Sequence, residues 1–301
     1  MSTQRREPWL YLGLIAGVFA VSLAAIFIRL AGEAPPLTIA TYRLAIGAAL
    51  TGGFAAQTWL RSGQRPFPGL VWKDLPLIIV ASLSLALHFW AWTLSLAHTS
   101  VASSVVLVTA SPLMVAVASR LLLGEPIYKR ALVGIGIGLV GGAVLALGDL
   151  GEGSEPFGDL MAFLGAVAIV GYLIAGRRLR SHMPAATYNT AVYAATAVLL
   201  AAAALVTGAP FNGFRTDTYL WLVVTALVPQ AIGHSLLNWS LVHVTATTIA
   251  IAVMAEPVIA TIAAVPILGE WPPFTSVLGG ALILAGIYVA MRRTGSPAKP
   301  Q

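Results

Sequence analysis

A chain of 301 residues that is 58% hydrophobic and only 9% charged, with a mean hydropathy of +0.87, has too few polar groups to cover a water-facing globule. The absence of cysteine excludes disulfides and thiolate metal sites. A net charge of +6 does not by itself point to nucleic acid, because in an apolar chain its meaning depends on where the charges lie relative to a membrane.

The chain opens MSTQRREPWLYLGLIAGVF, a basic start like that of a signal peptide. The apolar run continues to Ile28 with no small-residue cleavage site, so it reads as a retained first span. A hydrocarbon core of about 30 Å takes about 20 apolar residues per helix. Ten such runs are marked off by loops rich in charge, Pro and Gly: residues 9–28, 37–58, 75–96, 101–122, 131–148, 159–176, 185–207, 218–241, 246–268 and 275–291. The expectation is an all-α integral membrane protein with ten transmembrane helices. The turns at His98-Thr99-Ser100 and His243-Val244-Thr245 leave room only for helical hairpins.

Placing the N-terminus in the cytoplasm puts Arg5, Arg6, Arg61, Arg65, Lys73, Arg120, Lys129, Arg130, Arg177, Arg178, Arg180, Arg292, Arg293 and Lys299 on that side. Arg29 and Arg215 fall outside, Arg43 lies within the second span, and the acidic loop with Asp149, Glu152, Glu155 and Asp159 is external. This asymmetry is the positive-inside pattern, and it accounts for the net charge without nucleic acid.

One stretch occurs twice. Ser240 to Glu270, SLVHVTATTIAIAVMAEPVIATIAAVPILGE, falls without a gap on Ser95 to Glu125, SLAHTSVASSVVLVTASPLMVAVASRLLLGE, after a shift of 145 residues. The chain therefore divides into two repeats of five helices, residues 1–150 and 151–301. Because five is odd, the second enters the membrane from the opposite side, so the repeats are inverted. Arg120, Lys129 and Arg130 of the first copy accordingly become Val265, Phe274 and Thr275 in the second. Where the first copy has Ser111-Pro112 the second has Glu256-Pro257, an acid at mid-helix in one half only.

These residues resemble the drug/metabolite transporter superfamily, and specifically its EamA-type ten-helix exporters. The resemblance rests on the paired Leu-Gly-Glu ends of helices 4 and 9, on Glu256-Pro257-Val258, and on the glycine-rich helices 5 and 10. It also rests on helix 6, from Gly158-Asp159-Leu160 to Gly176-Arg177-Arg178-Leu179, and on Pro36 followed by Arg43 in helix 2. Helix 1 departs from the family, reading Phe19-Ala20-Val21-Ser22 where relatives often carry Trp-Gly. The resemblance implies export of small metabolites, amino acids among them, through a cavity lined by helices of both halves.

Inverted repeats tend to place the substrate site at their interface, near mid-membrane, so polar groups at that depth are the candidates. Gln230, His234 and Asn238 form a stripe at i, i+4 and i+8 on helix 8; Ser84, His88, Trp92 and Ser95 form another on helix 3. Each stripe reads either as cavity wall or as interhelical hydrogen bonds, which in membranes are worth about 0.6 kcal/mol. Glu256 is the sharpest residue, since an ion at mid-span costs on the order of 3 kcal/mol on insertion scales. It reads as a ligand for a substrate amine, as a proton-exchange partner of His234, or as a structural mate of Arg43 or His234. Pro257 frees a carbonyl one turn earlier and permits a kink. Arg43 reads as a holder of a substrate carboxylate, or as a structural partner of Glu270 or a backbone carbonyl. Tyr42 beside it, Ser111 as the counterpart of Glu256, and Tyr172 on helix 6 complete the candidate substrate-binding set.

Glu125 and Glu270 read as fixing the loops that follow them. Trp9, Trp72, Trp221 and Trp271 read as interface anchors. Gly134, Gly138 and Gly142, with Gly279, Gly280 and Gly286, read as close helix contacts. Pro36, Pro112, Pro257 and Pro266 are the expected bending points. Nothing resembles a phosphate-cradling loop, a metal-ligand cluster or a nucleophile with its base, so no catalytic residue, metal or cofactor is expected. An intramembrane enzyme would gather His and Glu beside a nucleophile, and a channel would need a continuous polar path; the sparse stripes favour a carrier. The expected partners are a small-molecule substrate and the lipid bilayer, with no nucleic acid and a monomeric chain. The expected setting is the bacterial inner membrane with both termini cytoplasmic.

Overall fold

The computed structural model of the chain describes residues 8–63, 67–99, 101–147 and 155–292. Arg5, Arg6, Arg65, Asp149, Glu152, Arg293 and Lys299, used above for topology, lie outside them, as does Ser100 of the first hairpin turn. The ten expected spans are all present as helices: α1 (Trp9–Leu30), α2 (Pro36–Arg61), α3 (Trp72–His98), α4 (Ser103–Leu123), α5 (Lys129–Leu147), α6 (Pro156–Leu179), α7 (Ala185–Thr207), α8 (Thr216–Ser240), α9 (Ala246–Leu268) and α10 (Phe274–Met291). No strand occurs among the described residues. A multi-pass membrane protein follows, because helices satisfy their own backbone in a solvent that offers no hydrogen bonds.

Local chemistry sets the helix ends. Pro36 and Pro156 sit in the first turns of α2 and α6, where the missing N–H is not needed. Thr245 caps α9, its hydroxyl accepting from the Thr248 amide at 3.1 Å. Gly124 and Gly269 end α4 and α9 in the left-handed region, at φ 69° and 72°, which a side chain would resist. The doubled Leu-Gly-Glu is thus a helix stop followed by an acid thrown sideways.

The halves interlock. α5 packs on α10, α3 on α6, α2 on α7 and α1 on α8, so the principal partners of these helices lie in the other repeat. Exchanging the halves maps the α3–α6 pair onto α8–α1 and leaves the α2–α7 and α5–α10 pairs in place, as a two-fold relation between inverted repeats requires. Glycine lets the backbones meet. A β-carbon on Gly141 would fall 2.7 Å from both the Gly279 carbonyl oxygen and the Ile283 amide nitrogen. Gly134 and Gly141 face α10, whose Gly286 also approaches the Gly138 backbone, while a β-carbon on Gly138 would meet Met254 of α9 and one on Gly142 would press on Val106 of α4 at 3.2 Å; of the expected close contacts only Gly280 is an ordinary one, 3.6 Å from Val258 of α9. Outward faces carry exposed Leu12, Ile15, Phe54, Leu121, Val206 and Ile262, the apolar surface that lipid covers. Of the expected anchors Trp9, Trp72 and Trp271 are exposed, whereas Trp221 is half-buried and stacks on Phe27 at 5.6 Å.

Charged contacts at the two ends also cross between halves. Glu125, at the end of α4, accepts from Arg177 Nε of α6 at 2.8 Å, and Arg177 Nη1 donates to the Leu241 carbonyl. At the opposite end Glu270, after α9, pairs with Arg29 of α1 at 3.1 Å. Neither acid merely holds its following loop, and Glu270 is not the partner of Arg43. Gly141→Leu should lower stability by about 1–3 kcal/mol through overpacking, while Gly53→Ala, where nothing lies within 4 Å of the added carbon, should be neutral or stabilising by about 0.5–1 kcal/mol. Thermal unfolding in detergent decides, and equal effects would remove α5–α10 as a close contact.

Candidate functional site

Among the described residues, four spans are interrupted along their length, while α3 only opens on a 3₁₀ turn, Trp72–Asp74. α4 and α9 break at Thr109-Ala110 and Met254-Ala255, positions 145 residues apart, just ahead of Ser111-Pro112 and Glu256-Pro257. Each proline lacks the amide that would bond the carbonyl four residues earlier, that of Val108 or Val253. α1 breaks at Leu23, where no proline accounts for it. α8 widens into π turns over Ala226–His234 around Pro229, a proline the expected bending points omitted. Pro36 only starts α2, and α9 continues as helix through Pro266.

The π segment has no counterpart in the regular helix of α3. By the 145-residue shift His234 corresponds to Phe89, one residue off His88, and Asn238 to Thr93, one residue off Trp92. His88, Trp92, His234 and Asn238 nonetheless line one cavity.

That cavity has about 670 Å³ of open space, its mouth included. It lies between the halves: Arg43 of α2, His88, Phe89 and Trp92 of α3 and Ser111 of α4 face Tyr172 of α6, His234 and Asn238 of α8 and Glu256 of α9. Every broken span contributes, through Val21 and Ala24 of α1, Val108 of α4, His234 of α8 and Val253 of α9. Of the ten candidates, eight are brought together here. Tyr42 and Gln230 are not among its walls. The Tyr42 hydroxyl donates to the Phe211 carbonyl at 2.8 Å beyond the N-terminal end of α2, and Gln230, fully buried, is a bracket for Arg43. Of the helix 3 stripe, Ser84 turns to Gly171 of α6 and Ser95 bonds Ser104 at 2.5 Å, leaving His88 and Trp92.

Arg43 is 2% exposed. Its Nε donates to Gln230 Oε1 at 2.9 Å, and its guanidinium carbon lies 4.2 Å from the Phe89 ring centre and 6.0 Å from that of Trp92. The Nη1 group is buried without a partner, and so is Trp92 Nε1. Phe89 escaped the sequence reading because it belongs to neither polar stripe; an aromatic one residue from a stripe gives no signal until Arg43 is placed over it.

His88 Nδ1 lies 2.9 Å from the Gly165 carbonyl; since that oxygen only accepts, Nδ1 carries hydrogen. The ring lies parallel to Trp92, 6° apart at 6.2 Å. His234 meets Phe89 and Tyr172 edge-on, at 5.3 and 6.4 Å. Glu256 is buried and, among the described residues, makes neither a hydrogen bond nor an ion pair. The expected pairing with Arg43 or His234 is therefore not made; its carboxyl stands in the cavity wall.

Below the cavity Asn238 ties three helices. Its Nδ2 lies 2.7 Å from Asn189 Oδ1, 3.1 Å from the Tyr193 hydroxyl and 2.6 Å from that of Tyr172, and the Tyr172 hydroxyl also donates to Asn238 Oδ1 at 2.8 Å. The stripe on α8 thus combines both readings, since Asn238 is at once wall and interhelical clamp. No group of three His, Asp or Glu residues able to hold a metal occurs among the described residues.

Two segments, residues 8–147 and 156–292, match the model of the EamA-like transporter family. An uncharacterized transporter of Archaeoglobus fulgidus is 25% identical over 269 residues, covering 88% of this chain and 91% of that one. The uncharacterized transporter YetK of Bacillus subtilis is 25% identical over 244 residues, 78% of this chain and 73% of its own. A crystal structure superimposes with a TM-score of 0.76 at 22% identity, over 94% of this chain and 96% of that one, a likeness of fold. Asn238→Leu should cost about 1–3 kcal/mol, because it strands the buried Asn189 and Tyr172 groups. Unchanged thermal unfolding in detergent would show that the cluster clamps nothing.

Proposed function

We propose, because the chain belongs to the EamA-like transporter family, that it exports small amphipathic metabolites, amino acids first, from the bacterial cytoplasm across the inner membrane. The observation that carries this is one cavity with a cation, Arg43, on the wall from the first repeat, a carboxyl, Glu256, on the wall from the second, and aromatic faces between them. Opposite charges left apart suit a molecule that carries both. The rings of Phe89, Trp92 and Tyr172 suit an apolar or aromatic body.

Movement follows from the inverted halves. Charged contacts between repeats hold both ends: Glu125–Arg177 and Asp74–His182 on the side read as cytoplasmic, and Arg29–Glu270, Glu33–Arg215 and His98–Glu155 on the outer side. Alternating access requires them to part in turn as the halves rock. Of the two glutamate–arginine pairs that follow the repeated Leu-Gly-Glu, the cytoplasmic one is the more sheltered, with side chains 27% and 13% exposed against 55% and 52% outside, so it should be the stronger contact. The helix breaks beside the cavity are the natural places for bending. Energy comes from the substrate gradient or a coupled ion, and Glu256 is the residue through which a proton would couple.

Reconstituted liposomes loaded with labelled amino acids should show saturable, counterflow-stimulated flux, and Glu256→Gln should abolish its pH dependence. Absence of flux across the amino-acid panel sinks the substrate class, and unchanged pH dependence returns Glu256 to substrate binding alone. The gates have a separate readout, since the chain has no native cysteine. In a Ser111→Cys background, Glu125→Gln should raise thiol labelling from the cytoplasmic side and Glu270→Gln from the outer side, each a few-fold. Identical effects of the two would dismiss the pairs as opposing gates.

A further inference from the structure

The donors on one wall of the cavity lack acceptors. Arg43 engages Gln230 through Nε alone, lays its plane over Phe89, and leaves Nη1 buried and unpartnered. Trp92, on the same wall, likewise has its one N–H buried without an acceptor. Glu256 lines the same cavity yet does not bond Arg43 among the described residues, so the only nearby countercharge is held off. A guanidinium buried this way is costly, and an apolar pair would join α2 to α8 at less cost. Its retention makes sense where an acceptor arrives from outside the chain.

We propose that Arg43 and Trp92 form a carboxylate subsite, in which the two oxygens of a substrate carboxylate take hydrogen bonds from the Arg43 guanidinium and the Trp92 indole N–H. Gln230 is a positioning residue: it sits in the π segment of α8, outside the cavity wall, and its Oε1 fixes the guanidinium through Nε. A carboxylate fits the charge better than a phosphate monoester. The subsite offers one cation and one neutral donor, and Glu256 in the same cavity would repel a dianion. The rest of the substrate lies over the aromatic faces toward Glu256, which receives an amine where there is one. This deepens the export reading and rests on it for the direction of transport only, not for binding.

Four probes with one phenyl body separate the charged ends: phenylalanine, phenylalaninamide, 3-phenylpropionate and phenethylamine. Binding to the full-length protein in detergent is read as ligand-dependent shifts of the unfolding midpoint, converted to apparent Kd by mass action. Phenylalanine should bind at least about tenfold more tightly than phenylalaninamide or phenethylamine, the factor expected of one charge-assisted hydrogen bond, and 3-phenylpropionate should bind in an Arg43-dependent way. Trp92→Phe, which keeps a ring and removes the N–H, should weaken the carboxylates by about three- to tenfold and leave phenylalaninamide unchanged. Gln230→Leu should erode the same preference from outside the cavity, and Arg43→Lys, which keeps the charge but loses the fork, should erode it further. The proposal is overturned if amide and acid bind alike, if Trp92→Phe weakens both equally, or if neither carboxylate binds. Should 3-phenylpropionate bind in an Arg43-dependent way while phenylalanine is not transported, the subsite stands and the amino-acid export reading falls.

Discussion

Within an apolar solvent a helix can leave its regular path only where the carbonyls and amides it frees find protein or an enclosed polar space. Four of the ten spans do so here, at Leu23, at Thr109-Ala110, over Ala226–His234 and at Met254-Ala255, and every one of them adjoins the same cavity. The remaining helices run unbroken and press together through glycine, as α5 and α10 do. Regular backbone builds the frame; irregular backbone is gathered where a ligand or water can satisfy it. The cavity is therefore the place the fold leaves unfinished, and its polar side chains inherit that position.

Duplication supplies the frame and divergence supplies the chemistry. The proline breaks in α4 and α9 match residue for residue, yet one presents a serine and the other a carboxyl. α3 is regular after its first turn while its counterpart α8 widens at Pro229, and His234 and Asn238 share one cavity with His88 and Trp92. Arg43 then has a buried amide in Gln230 to orient it and a ring in Phe89 to lie on. The result is a site with one cation and one acid on opposite walls, neither quenched by the other. In the proposed function such a site discriminates by charge at two points while the rings between tolerate variation in shape.

The same inversion shapes the ends. A glycine that ends a helix in the left-handed region, followed by glutamate, occurs in both repeats, and each glutamate reaches an arginine of the other half. Because the repeats run in opposite directions, these two glutamate–arginine pairs lie at opposite ends. Interlocked helix pairs keep the two halves together as a body, and in the proposed transport cycle the charged contacts at the ends are the ones that rocking has to exchange.

The sequence by itself determined the ten spans, the duplication and the inversion, because span length, glycine spacing and the side preference of Lys and Arg are local or one-dimensional properties imposed by the bilayer. It also singled out Glu256, since an acid among apolar residues at mid-span carries its cost wherever it points, and eight of the ten candidate residues reach one cavity. Tyr42 and Gln230 stand outside that cavity's wall because their partners, Phe211 and Arg43, come from elsewhere in the chain. Glu270, one of the partners the sequence offered for Arg43, in fact holds Arg29, because nothing in a linear chain says which of several distant ions will be adjacent. The π turns at Pro229, the role of Phe89 and the glutamate pairs between repeats were decided by tertiary structure alone. Helical phase, ring stacking and ion pairing depend on how two helices meet, and a one-residue shift in register, invisible in composition or spacing, is enough to turn a side chain from one neighbour to another.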